Sequence, residues 1–254
     1  MLRSLKELFG YQLLAEDGDI GKVGDFLFDD EEWVIRYLVV DTGPWILGKR
    51  LLISTSALRQ PDWSSRSFPV ALTRKQVKNS PDIDTDRPVS RQQELELHLH
   101  YRWPLYWHHL DPMTAPPMTP RVEPNLIAPK EEQELIAKAK EDQDPNLRSS
   151  KEVIGYHIQV RDGEIGHLDD FILDDQRWII RYLVVDTGNW LPDKKVLIAP
   201  LWIKWISHAD ARVYVDLKKQ AIEFSPNFDP SKPVNREYEE VLYDFYGRPR
   251  YWKK

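Results

Sequence analysis

A mainly β chain, folded as two tandem small barrels that each run on into a short helix and an aromatic tail, is what this sequence predicts. Three observations carry the prediction. RYLVVDTG at Arg36–Gly43 recurs letter for letter at Arg181–Gly188. A shift of 145 residues aligns 4–107 with 149–252 without a gap, and about 40 of the 104 positions are identical. Within each copy, apolar residues alternate with period two through runs rich in aromatic and β-branched side chains. A repeat of this length is large enough to enclose its own core, unlike the short units that must stack into solenoids.

The elements follow in order. Asp17-Gly18 and Asp162-Gly163 separate short apolar runs and supply hairpin turns. Asp29-Asp30 and Asp174-Asp175 mark a second turn, before Trp33 and Trp178. Trp33, Ile35, Tyr37 and Val39 then share one strand face, and Val34, Leu38 and Val40 the other, so both faces need cover. Arg36 interrupts the second face and is expected to reach water or pair with Asp25, as Arg181 would with Asp170. Further strands are expected at 50–54, 67–72, 195–199 and 212–217, giving five or six short strands per copy. Ser90–His100 and Asn235–Phe245 follow Pro-Val with a helix-favouring mixture of residues. Ser90 and Asn235 serve as N-caps, and the prolines of the aromatic ends stop the helix.

Between the copies, 108–129 carries six prolines and reads as an extended linker, followed by a charged helix at 130–142. The expected domains are therefore repeat 1 with its tail at 1–107, linker and charged helix at 108–148, and repeat 2 with its tail at 149–254.

Composition narrows the function. A net charge of −6 gives no general attraction to nucleic acid or an anionic membrane. The absence of Cys removes thiol nucleophiles, disulfides and Cys-ligated metals. No long apolar run indicates a signal peptide or membrane insertion, so a cytoplasmic location is the expectation.

Each copy resembles the PRC-barrel family, the β-barrel shared by the cytoplasmic part of the photosynthetic reaction-centre H subunit and a ribosome maturation factor. The resemblance rests on Gly10-Tyr, Asp17-Gly-x-Ile-Gly, Asp25-Phe, Asp29, Ile35-Arg-Tyr-Leu-Val-Val-Asp-Thr-Gly-x-Trp and Leu52-Ile, with the matching run from Gly155 to Ile198. The tails, Ser80-Pro-x-x-Asp-x-x-x-Pro-Val-x-Arg-x-x-Glu and its equivalent from Ser225, look like those of bacterial stand-alone members. The resemblance implies PRC-type barrels that bind other proteins as a non-catalytic interaction or assembly module. It implies no catalytic constellation, and no cofactor or metal site is expected.

The residues themselves offer other chemistries. Asp41-Thr-Gly and Asp186-Thr-Gly each follow Leu-Val-Val, as in aspartic proteases, where two carboxylates share a proton to activate water. The residues after Gly, Pro44 and Asn189, depart from that motif, and Asp-Thr-Gly is also a natural strand-ending turn. RNA or ribosome-assembly binding rests on the family resemblance alone, against the acidic balance. His98, His100, His108 and His109 lack a recognised metal-ligand spacing, and Tyr243, Phe245, Lys253 and Lys254 replace them in the second copy. The acidic pairs lack a calcium-loop pattern. Trp33, Trp45, Tyr37, Trp178, Trp190 and Tyr182 are read as core. The tail aromatics Tyr101, Trp103, Tyr106, Trp107, Tyr246, Tyr251 and Trp252 are the candidate interaction residues, able to clasp their own domain or another chain. Protein partners, barrel–barrel pairing within the chain and homodimerisation all fit this reading.

Overall fold

The computed structural model describes residues 1–46, 48–83, 88–107, 146–188 and 190–253. The Pro-rich linker, the charged helix and both His108 and His109 lie outside the described residues. The fold is mainly β with few helices. Two compact units divide the chain, one formed by 10–24 and 37–147, the other by 1–9, 25–36 and 148–254. These units are not coextensive with the sequence repeats. Residues 1–9 and 25–36 come from the first repeat but belong to the second unit.

In the first unit, β2 (Gln12–Ala15) and the start of β3 (Gly18–Asp29) form the hairpin turned at Asp17-Gly18, and β6 (Ser67–Pro69) runs parallel to β2. β4 (Val34–Asp41) pairs antiparallel with β5 (Arg50–Ser54) from Tyr37↔Ser54 to Asp41↔Arg50. Leu13, Ile20, Leu38, Val40, Ile53, Phe68 and Val77 are buried in its core. β3 is twelve residues long, so the expectation of uniformly short strands fails there.

The second unit repeats this plan. β8 (His157–Val160) pairs with β9 (Gly163–Asp174), β9 with β10 (Ile179–Asp186), and β10 with β11 (Lys195–Ile198). β12 (Ile203–Ser207) pairs with β13 (Arg212–Val215), which runs parallel to β8. The N-terminal strand β1 (Leu2–Ser4) pairs with Ile172–Asp174 of β9, and β7 (Leu147–Ser149) is its counterpart at the 145-residue offset.

Contacts inside this second unit come in pairs at the 145-residue offset. The Ser4 hydroxyl and the Lys6 N–H (3.0 Å) donate to Asp170, while the Ser149 hydroxyl and the Lys151 N–H (3.2 Å) donate to Asp25. Arg3 pairs with Asp175 at 2.6 Å and Arg148 with Asp30 at 3.0 Å. Ile35 N–H donates to the Trp178 carbonyl and Ile180 N–H to the Trp33 carbonyl, both at 2.7 Å. Each repeat thus supplies the segment that caps the other's Asp-Phe strand. That buried backbone and side-chain donors meet acceptors here is the condition for placing them in a core at all.

Two sequence expectations are corrected in this region. Trp33 and Trp178 do not begin their strands: at φ 59° and 58° they close the preceding turns in the left-handed region, and β4 and β10 start one residue later. Arg36 pairs with Asp29 (3.1 Å) and Glu32 rather than Asp25, and Arg181 pairs with Asp174 (3.3 Å) rather than Asp170. Asp25 and Asp170 face the serines of the other repeat, whereas Asp29 and Asp174 stand at the turn end of the hairpin, within reach of the arginines.

The predicted tail helices are α2 (Arg91–Tyr101) and α5 (Arg236–Tyr246), capped by Ser90 and Asn235. Their stops are left-handed residues, Arg102 (φ 58°) and Gly247 (φ 60°), with Pro104 and Pro249 two positions further on. Three short helices escape a periodicity reading because they span barely a turn: α1 (Arg74–Lys78), α3 (Ser150–Val153) and α4 (Lys219–Glu223). Asp17 and Asp162 of the hairpin turns accept from the first N–H of α1 and α4, at 2.6 and 2.8 Å.

Candidate functional site

The cap at Ser90 places Arg91 and Glu94 three residues apart, on one face of α2. Glu94 is completely buried there, although an isolated carboxylate could not be. Three donors compensate it. The Tyr37 hydroxyl reaches it from β4 at 2.9 Å, the Tyr106 hydroxyl from the tail at 2.6 Å, and the Arg91 guanidinium at 2.6 Å. Arg91 also lies 4.5 Å from the Trp107 ring centre. Strand, helix and tail are therefore clasped through one carboxylate.

The second unit builds the same clasp. The Tyr182 and Tyr251 hydroxyls each donate to Glu239 at 2.7 Å, Arg236 pairs with it at 2.9 Å, and Arg236 covers the Trp252 ring at 4.1 Å. Arg181 lies 4.3 Å from the Tyr251 ring centre. Burial, reinforced by the neighbouring carboxylate, holds the Tyr37, Tyr106 and Tyr182 hydroxyls protonated well above the ordinary phenol range. Tyr251 is pushed up to about 12 for the same reasons.

The clasps are not identical. His98 in the first unit stands where the second has Tyr243. Its Nδ1 is 2.9 Å from the Pro104 carbonyl, and its Nε2 shares the Tyr37 hydroxyl with Glu94 at 2.6 Å. Burial lowers its pKa from the ordinary 6.5 to about 4, with Arg91 acting in the same direction and the Pro104 and Trp103 carbonyls opposing. A depressed folded-state pKa means that the stabilisation is complete above about pH 6.5 and is lost as the pH falls through about 4, because the unfolded chain binds the proton first. The gap corresponds to about 3 kcal/mol. Urea titrations between pH 7 and pH 4 are expected to show this extra loss in the wild type, and a smaller one for His98→Gln.

The remaining candidates fall as follows. Trp103 stacks on Tyr101 at 4.3 Å and Tyr246 packs on Trp202 at 4.7 Å, so all seven tail aromatics lie at or beside a clasp. Trp45 lies under Arg74 at 4.4 Å and Trp190 near Lys219 at 5.5 Å. Asp41 pairs with Arg50 at 3.2 Å, and Asp186 accepts from Gly188 N–H at 2.8 Å and pairs with Lys195 at 3.3 Å. Each Asp-Thr-Gly carboxylate thus has a cation of its own unit beside it, and Thr42 and Thr187 tie their loops by donating to the Lys49 and Lys194 carbonyls. His100 is exposed, 3.4 Å from the Gln76 carbonyl. Among the described residues, no group of three or more metal-ligating side chains converges.

Nothing in the local sequence pattern sets Glu94, Glu239, Arg91 and Arg236 apart. Their signal lies in the repeat: they are the identical Arg and Glu of the repeated Pro-Val-x-Arg-x-x-Glu, and a Glu shared by two copies opposite a buried Tyr is a candidate acceptor.

No helix among the described residues is long and apolar enough to cross a membrane. A comparison with curated proteins finds no match. Residues 2–64 match the family model of the PRC-barrel domain, a stretch that carries the repeated strands and the Asp-Thr-Gly turn and draws on both compact units. That segment, 63 of the chain's 254 residues, is similar to the PRC-barrel domain family.

Proposed function

We propose that this chain is a non-catalytic protein-interaction or assembly module built from tandem PRC-type barrels, each completed by its own tail. The observation that carries the reading is the repeated clasp. In both units a deeply buried carboxylate is occupied by two tyrosine hydroxyls and an arginine, which suits a rigid platform rather than a group poised for proton transfer. The family match supports it, because PRC-barrel domains suggest interaction or assembly. On this reading the rings of Tyr101, Trp103, Tyr106, Trp107, Tyr246, Tyr251 and Trp252 act by shaping the surface that partners meet. The expected result is that the full chain, used as bait, enriches a discrete set of proteins at least about tenfold over an unrelated acidic protein of equal charge. No enrichment contradicts the reading.

A further inference from the structure

The duplication supplies an internal control for the surface. Leu201, Trp205, Phe224, Val241 and Phe245 are large, apolar and exposed, and all five lie in the second repeat. The residues 145 positions earlier are Ser56, Gln60, Asn79, Glu96 and His100. The positions are equivalent in the fold, since α1 and α4, and α2 and α5, have bounds at the same offset. The same scaffold is therefore satisfied by polar residues at every one of these places, and folding does not require the apolar ones.

Four of the five are tied to one helix of the second unit, α5, by lying on it or next to segments that it touches. Val241 and Phe245 are one turn apart on α5, and the Phe245 ring lies 5.0 Å from Tyr246. Tyr246 packs on Trp202, the neighbour of Leu201, and the Tyr238 hydroxyl of the same helix lies 3.5 Å from the carbonyl of Pro226, two residues after Phe224. Exposed apolar groups held together in this way mark a contact surface. Its border is acidic: Glu237 lies one turn before Val241, Glu240 and Asp244 flank it on α5, and Glu223 precedes Phe224. Arg250 pairs with Glu240 and Asp244, while Glu237 has no ion-pair partner among the described residues.

We propose that this face, formed by Leu201, Phe224, Val241 and Phe245, docks a protein segment that presents apolar side chains flanked by Lys or Arg. The proposal rests on the interaction-module reading and names its partner chemistry. Apolar residues supply the contact, and the acidic border selects a basic partner over an acidic one. The same border disfavours an anionic lipid surface or a nucleic acid.

The test uses the full chain and two labelled amphipathic helical peptides of about five turns, one of Leu and Lys and its twin of Leu and Glu. The Leu/Lys peptide is expected to bind at least about tenfold more tightly than its twin. The triple variant Phe224→Asn, Val241→Glu, Phe245→His installs the first repeat's residues, so the fold tolerates them, and adds negative charge. It is expected to weaken Leu/Lys binding about tenfold or more, with an unchanged circular dichroism spectrum. Association by charge alone would tighten instead, and that result overturns the proposal. So do equal binding of both peptides, binding of neither, preferential binding to vesicles rich in anionic lipid, or self-association that the triple variant abolishes. If the triple variant used as bait captures the wild-type set of proteins unchanged, this face is not the docking site and the module reading stands; if neither bait captures anything, the module reading itself fails.

Discussion

Glu94→Ala is expected to lower the unfolding free energy by about 3–5 kcal/mol, read as a shift of the urea midpoint without a compensating rise in slope. The substitution leaves the Arg91 guanidinium, whose side chain is only 10 % exposed, beside two tyrosine hydroxyls that have lost their acceptor. Glu239→Ala is expected to cost less, about 1–3 kcal/mol, because the Arg236 side chain is 51 % exposed and can return to water. Removing a buried partner is expensive chiefly through what it strands. An equal loss in the two variants would show that burial of the arginine does not set the cost.

A larger effect is expected at Gly166. At φ +140° it occupies a conformation that L side chains rarely adopt, and a Cβ there would sit 2.0 Å from the Asp186 carbonyl oxygen. Gly21, at φ +141°, would place one 2.3 Å from the Asp41 carbonyl oxygen. Because the obstacle is backbone of the Asp-Thr-Gly strand end, neither side can yield cheaply. Gly166→Ala is expected to destabilise by more than about 4 kcal/mol, seen as loss of the cooperative thermal transition or of soluble protein. Gly247→Ala is the comparison: its φ is +60° with nothing within 4 Å, so only the left-handed conformation is penalised, at about 1–2 kcal/mol. Similar losses at both positions would mean that strand-end crowding contributes nothing.

These two sites show what the sequence made legible. The Gly of Asp17-Gly-x-Ile-Gly and the Asp of Asp41-Thr-Gly are 20 residues apart, and only strand pairing reveals that one exists to admit the other's backbone. The strands at 50–54 and 195–198 and the capped tail helices were readable, because alternation and N-caps are local. The short helices α1 and α4 were not, being anchored by Asp17 and Asp162 from distant turns. The partners of Arg36 and Arg181 differ from the expected ones for a related reason. Asp25 and Asp170 were claimed by serines of the other repeat, a choice that no local pattern displays. The division into units was equally hidden, since 1–9 and 25–36 join the second unit through pairing that the repeat cannot show.

The tail was legible as aromatic and able to clasp its own domain, but the group that holds it was not. The Tyr and Trp of each Tyr-Trp end were recognised, whereas their acceptor, a Glu in a helix that reads as ordinary and polar, was not. Helical amphipathicity gave little warning on α2, where Arg91, Glu94 and His98 share the buried side with Leu95 and Leu97.

Whether one carboxylate joins strand, helix and tail in each unit is tested most directly by paired double-mutant cycles, Glu94→Ala with Tyr106→Phe and Glu239→Ala with Tyr251→Phe, each followed by urea unfolding. The clasp predicts a coupling of about 1–3 kcal/mol in both cycles, since the tyrosine hydroxyl and the carboxylate act through one hydrogen bond. Additive losses in either cycle would contradict it.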